Sequence, residues 1–188
     1  WKFTKMASIV ILGATSFIAR ALINAGPYQL PIKAVARIIP LDQECYSKAE
    51  WLQADLLNPL SLKEIFVEGD LVINLVYMQG STSDQNRQVV KNLIQACKKA
   101  KVARLIHCST ALVVGATLVS NINEATPCKP STSYEATKYE LEKLILCDLN
   151  NELDVAVLRP TAVIGAGSEN LVKLSNQLIN SSKIINYI

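Results

Sequence analysis

Histidine occurs once in the 188 residues and cysteine five times, at positions 45, 97, 108, 128 and 147, scattered and never spaced C-x-x-C. That pattern excludes a disulfide framework and a cysteine-rich zinc site; reduced, partly buried thiols in the cytoplasm are expected, and no metal is implied. Long hydrophobic runs are also missing. The nearest, Ile9 to Leu12, falls far short of the ~18 apolar residues of a membrane-spanning helix, so no membrane span is expected. Neither sign of charge dominates: 19 Lys and Arg against 16 Asp and Glu leave +3, too little to announce a nucleic-acid binder. The densest basic cluster, Lys98, Lys99 and Lys101 with Arg104 close by, sits where a helix should end and complements its dipole. Disorder is excluded because half the residues are hydrophobic. Trp1 to Lys5 is too short and wrongly flanked for a signal peptide, which makes Met6 the candidate natural start.

What is present is alternation. The length suits one domain that buries roughly 70% of its unfolded surface. Ser8 to Leu12 reads as a buried strand ended by Gly13, and Phe17 to Asn24 as a helix closing at Gly26-Pro27. Further strands are expected at Ile32 to Arg37, Trp51 to Gln53, Leu71 to Leu75, Leu105 to Cys108 and Val155 to Leu158. Helices are expected from Asn58-Pro59 to Phe66, from Ser83 to Lys99 and from about Tyr134 to Leu149, the last after a polar loop over Ser120 to Ser133. Beyond Gly165-Ala166-Gly167 one amphipathic stretch remains, Leu171 to Ile179. Strands alternating with helices imply an α/β fold: a doubly wound parallel sheet, the Rossmann arrangement, with both faces covered.

Four groups of residues carry candidate chemistry. Gly13 permits a sharp turn into a helix whose N-terminal amides suit a pyrophosphate, with the small residues Ser16 and Ala19 at the two later glycine positions of the dinucleotide fingerprint. At the end of the second strand, where an NAD binder places a carboxylate, stands Arg37; a guanidinium suits a 2′-phosphate, so NADP is favoured over NAD. Tyr134 and Lys138 stand one helical turn apart on one face, and a nearby cation favours the phenolate, lowering a pKa of about 10 toward the range of a general acid or base. Tyr139 and Lys143 repeat the spacing deeper in the helix, where Tyr139 reads as a packing residue. Ser109 and Thr110 end a strand at the carboxyl edge of the sheet, where either hydroxyl could hold a substrate oxygen. His107, inside an apolar run, reads as a packed strand residue.

The segments Gly13 to Ala19, Ala54-Asp55-Leu56, Val72 to Tyr77, Asn86 to Leu93, Leu105 to Gly115, Tyr134 to Lys138 with Glu142, and Arg159 to Gly165 together resemble the extended short-chain dehydrogenase/reductase family. That is the NAD(P)-dependent epimerase/dehydratase group acting largely on nucleotide sugars. The matches run in order over residues 8–167. The resemblance implies a dinucleotide-binding domain over 1–167 and, over 168–188, the start of a substrate lobe most of which is missing. It assigns cofactor contacts to Gly13, Thr15, Ser16, Phe17 and Ile18, to Asp55 (adenine) and Leu56, and to Leu75, Val76 and Tyr77 before the nicotinamide ribose. Asn92, Lys138, Arg159 and Pro160 join them. The catalytic set it implies is Thr110, Tyr134 and Lys138, with Asn86, Thr110 and Tyr134 facing substrate.

The implied mechanism is hydride transfer at a sugar carbinol, with Tyr134 as phenolate, Lys138 lowering its pKa and Thr110 orienting the substrate oxygen. Epimerase, dehydratase and reductase outcomes all remain open. Two departures stand out: Ser16 replaces a glycine, which is expected to weaken the hold on the cofactor, and Val113-Val114 replaces a valine-tyrosine pair. A cofactor-binding sensor without catalysis and a reductase of small carbonyl compounds are the alternatives. The helices from Ser83 and Tyr134 could form the four-helix face of a homodimer, as in related proteins.

Overall fold

The structure, a computed structural model, describes residues 6–26, 28–41, 48–117, 121–149, 152–165, 168, 171–172 and 175–176. Trp1 to Lys5, Cys45, Pro27, Ser120, Ala166-Gly167 and most of the Leu171 to Ile179 stretch lie outside them, so the readings placed there are not addressed.

Six strands form one sheet in the order β3-β2-β1-β4-β5-β6, every neighbouring pair parallel. They are β1 (Ile9–Leu12), β2 (Ile32–Ala36), β3 (Ala49–Gln53), β4 (Leu71–Asn74), β5 (Arg104–Cys108) and β6 (Asp154–Leu158), interleaved with α1 (Phe17–Ala25), α2 (Ser83–Ala100) and α3 (Ser133–Leu149). The parallel doubly wound sheet is the architecture that the alternation implies. β1 is buried along its whole length because helices cover both of its faces. Successive side chains alternate between them. Ile9 and Ile11 pack with Ala19 and Ile23 of α1 on one side. Val10 and Leu12 join a larger cluster with Val89, Leu93 and Cys97 of α2 and Leu141 and Ile145 of α3 on the other.

The ends of α2 follow from its sequence. Thr82 accepts from the Gln85 amide while the Gln85 side chain accepts from the Thr82 amide, a reciprocal cap. At the other end Lys101 adopts the left-handed conformation (φ 54°) and its amide closes on the carbonyls of Cys97 and Lys98. Lys98 and Lys99 occupy the last turn. Lys98 pairs with Glu152 at 2.9 Å and Arg104 pairs with Asp154 across β5 and β6, so much of the basic cluster is neutralised locally.

One expected helix is not formed. From Asn58-Pro59 the chain makes only a 3-10 turn, Pro59–Leu62, although Asn58 caps it by accepting from the Leu60 amide at 3.0 Å. The bonds that follow keep the three-residue spacing, from the amide of Lys63 to the carbonyl of Leu60 and of Ile65 to that of Leu62. Residues three apart eclipse in that geometry, which aims both Leu62 and Ile65 into the core.

The site is positioned by the reversal of strand order. β1 has β2 on one side and β4 on the other, and the connections from the two strands leave in opposite directions. A crevice opens at such a switch point, beyond the carboxyl ends of the strands.

Candidate active site

At the crevice Gly13 has φ +78°, and a Cβ there would lie 3.2 Å from Val76 Cγ2. A substitution in the turn is therefore strained by conformation, and its Cβ would crowd the Val76 methyl. It is pinned to β2 by the amides of Gly13 and Ala14, which donate to the Val35 carbonyl at 3.1 and 3.0 Å. α1 then starts with Ser16 as its N-cap, the hydroxyl accepting from the Ala19 amide. Ser16 has φ −71°, so its backbone conformation does not require glycine, and its side chain caps the helix. Ala19 is fully buried against the sheet, where a larger residue would push α1 away.

Gly13, Thr15, Ser16, Arg37, Asp55 and Leu56 line a crevice of about 550 Å³ together with Leu75, Val76 and Tyr77. These residues fit a nicotinamide dinucleotide. A glycine whose Cβ would fill the turn is followed by a capped helix N-terminus, an anion-favouring pair, and a carboxylate and a guanidinium stand farther along. Arg37 is exposed just past the end of β2, and Asp55 Oδ1 accepts from the Leu57 amide at 3.0 Å.

A larger cleft of about 1120 Å³ adjoins this one, and both share Thr15, Ser16 and Leu75 as walls. Phe17, Ile18, Thr110 and Tyr134 line it with Cys108, Leu112, Val114, Ile122 and Thr161 to Val163. Thr110 caps a 3-10 turn, Ala111–Val114, by accepting from the Leu112 amide, and its side chain lies close enough to Tyr134 to pull the phenol's pKa down. The structure thus brings Thr110 and Tyr134 together in the cleft wall. Lys138 is buried on the next turn of α3 and donates from Nζ to the Cys108 carbonyl at 2.7 Å.

The electrostatics differ from the expected tuning. Burial raises the Tyr134 pKa above its ordinary value, the neighbouring Tyr77 and Cys108 push the same way, and only the hydrogen bond to Thr110 opposes them. Lys138 is not among the groups that shift Tyr134; burial lowers the Lys138 pKa, with Cys108 and Glu142 opposing. The phenol is therefore protonated in this arrangement rather than held as phenolate.

Four other assignments meet a different placement. Asn86 is buried, and its amide clamps the loop before α2: Oδ1 accepts from the Met78 amide while Nδ2 donates to the carbonyls of Met78 and Thr82. Asn92 ties α2 to the β3 exit through the carbonyls of Leu56 and Leu57. Arg159 is drawn onto the buried Glu142, and the Pro160 carbonyl accepts from the Ala111 amide. None of the four lines either cleft.

His107 is fully buried, as a packed strand residue should be. Asn74 Oδ1 accepts from the Val76 amide, so its Nδ2 faces His107 Nδ1 at 3.0 Å and the ring proton belongs on Nε2. Tyr139 is half-buried beneath the Lys143 ammonium. Sequence reasoning missed Cys108, whose carbonyl anchors Lys138; a strand-end cysteine carries no signal for that role. Among the described residues no cluster of His, Cys, Asp and Glu is placed to hold a metal ion, and no helix is long and apolar enough to cross a membrane.

A sequence model of the NAD dependent epimerase/dehydratase family matches residues 9–184, and the chain belongs to that family. It is 29% identical to 3beta-hydroxysteroid-dehydrogenase/decarboxylase isoform 2 of Arabidopsis thaliana, over 87% of this chain and 33% of that protein. It is 28% identical to 2-alkyl-3-oxoalkanoate reductase of Shewanella oneidensis, over 89% of this chain and 48% of that protein. It thus spans between a third and a half of these two relatives. Among solved structures, UDP-glucuronic acid 4-epimerase from Bacillus cereus in complex with NAD superposes with a TM-score of 0.75 at 23% identity, over 92% of this chain and 63% of that one. UDP-N-acetylglucosamine 4-epimerase from Bacillus cereus gives 0.76 at 18% identity, over 89% and 65%. These two share the fold.

Proposed function

We propose that this domain holds a nicotinamide dinucleotide in the β1–β4 crevice and presents Tyr134 as proton donor to a carbonyl oxygen in the adjoining cleft, making the protein an NAD(P)-dependent oxidoreductase. The observation that carries the reading is that Tyr134 and Thr110 both line the cleft that shares Thr15, Ser16 and Leu75 with the crevice. When bound, the dinucleotide supplies the hydride chemistry. Thr110 orients the substrate oxygen, and Tyr134 Oη gives or takes its proton. Lys138, one turn on, would bring positive charge to the phenol once its ammonium leaves the Cys108 carbonyl. A resting phenol that keeps its proton suits the reductive direction.

Arg37 supports NADP as the preferred dinucleotide, since it borders the crevice beside Asp55 with its guanidinium in reach of solvent. The apolar lining of the second cleft, from Phe17, Ile18, Leu112, Val114 and Ile122, supports a hydroxy or oxo compound on an apolar body. The two relatives, by their names a hydroxysteroid dehydrogenase/decarboxylase and an alkyl-oxoalkanoate reductase, point the same way. A nucleotide sugar, implied by the family resemblance, is the competing substrate. The outward faces of α2 and α3, bridged by the pair Arg87–Glu140, are the proposed homodimer contact.

A substrate panel separates these readings. Full-length protein is given NADPH or NADH with 3-oxosteroids, 2-alkyl-3-oxoalkanoates or UDP-sugars, and nicotinamide absorbance is followed. Oxidation with an oxo lipid is expected. Turnover of UDP-sugars alone would reverse the substrate assignment, and tight cofactor binding with no turnover of any compound would favour a sensor.

A further inference from the structure

Both members of the candidate proton-transfer pair converge on a third side chain. Tyr134 packs edge-on against the ring of Tyr77, with centroids 5.0 Å apart and an interplanar angle of 87°. Lys138 Nζ stands over the same ring, 5.3 Å from its centroid, while donating to the Cys108 carbonyl. Tyr77 lines the dinucleotide crevice and Tyr134 the adjoining cleft, so this ring belongs to the partition between them.

The backbone beneath the ring is fixed on both sides. The Val76 amide donates to Asn74 Oδ1 at 3.0 Å, and the Met78 amide donates to Asn86 Oδ1 at 2.9 Å. Both asparagines are buried. Sliding of residue 77 along the chain is blocked, which leaves rotation of its side chain as the available motion. An edge-to-face aromatic contact and a cation over a ring are each individually weak, so such a rotation is within reach of a binding ligand.

We propose that Tyr77 is a positioning residue of this site: its ring holds Lys138 on the Cys108 carbonyl and Tyr134 edge-on, and the two become coupled when the ring swings aside. The inference rests on the reading of Tyr134 and Lys138 as proton-transfer groups. It accounts for two features together, the ammonium directed to a carbonyl beside the ring and the phenol packed edge-on against it. Entry of a dinucleotide into the crevice that Tyr77 lines is the event that would move the ring, tying ionisation of the phenol to cofactor occupancy.

The test is a ligand-free pH titration of full-length protein carrying ring-labelled tyrosine, with the Tyr134 resonance assigned through Tyr134→Phe. In Tyr77→Ala the Tyr134 midpoint moves to lower pH, because the ring that buries it is gone and Lys138 is released. In Tyr77→Phe, which keeps the ring, the shift is smaller. Should Tyr77→Ala not fold, Tyr77→Met fills the volume without an aromatic face and takes its place. An unmoved midpoint, or equal shifts in the ring-keeping and ring-lacking variants, overturns the proposal. No cofactor or substrate enters the titration, so a failure of the oxidoreductase reading would show in the substrate panel and not here.

Discussion

Arg159 grips Glu142 with two nitrogens, Nε donating to Oε1 at 3.1 Å and Nη2 to Oε2 at 2.7 Å. The carboxylate is buried on α3, one turn beyond Lys138, and the arginine follows β6 directly, so the pair fastens the active-site helix to the segment that walls the larger cleft. Its charge-assisted bonds hold the Arg159 pKa above its ordinary value, with burial opposing.

Arg159→Ala leaves that carboxylate buried and unpaired. A loss of about 3 kcal/mol in urea unfolding is expected, as for other broken buried pairs, and the double variant Glu142→Leu with Arg159→Met should recover most of it. If Arg159→Ala unfolds at the parent midpoint, the pair has no such role.

Gly13→Ala forces a side chain into a left-handed position against Val76. The conformational cost alone is about 1–2 kcal/mol. Expressed in cofactor binding, a loss of about 1.4 kcal/mol is tenfold in Kd, which quenching of nicotinamide fluorescence can resolve. Unchanged dinucleotide affinity would remove the crevice as the binding site.

Arg37→Ala tests the choice of cofactor. The parent should bind NADPH more tightly than NADH, and the substitution should erase the gap while leaving NADH nearly untouched. Equal affinities in the parent would assign Arg37 to solvent.

His107 makes acid stability a further measurement. Burial, helped by the nearby Lys138 charge, lowers its pKa from 6.5 to about 3. Between those values the unfolded chain carries a proton there and the folded chain does not, so stability falls as pH drops below 6.5 and continues to fall until about 3. One proton corresponds to about 1.4 kcal/mol per pH unit. His107→Gln keeps an acceptor for Asn74 but has no titrating group, so its stability should depend less steeply on pH over this window. Identical slopes would place a charged, hydrated histidine in the core.

The strands and long helices were legible because their cause is local. Val10, Leu12, Val72 and Leu105 sit in short apolar runs that only a sheet covered on both faces accommodates, and α2 carries its cap and its stripe in its own sequence. Gly13 was legible for the same reason, since one residue both makes the turn and allows the close approach. The segment after Asn58 was not, because its cap and proline suit a 3-10 turn as well as an α-helix and the packing of Leu62 and Ile65 decides between them. The partners of Asn86, Asn92 and Arg159 lie 8, 36 and 17 residues away along the chain, and spacing does not reveal such bonds. The ammonium's direction is hidden for a similar reason: a lysine four residues on shares the helix face of Tyr134, but a carbonyl on β5 sets where its ammonium points.

The proton-donor role of Tyr134 is tested most directly by Tyr134→Phe in the full-length protein, with NADPH binding and turnover measured side by side. The phenylalanine keeps the ring against Tyr77 and removes only the hydroxyl beside Thr110. Binding should remain within about twofold, well under the tenfold that 1.4 kcal/mol represents, while turnover is lost. Turnover at the parent rate in that variant would contradict the account.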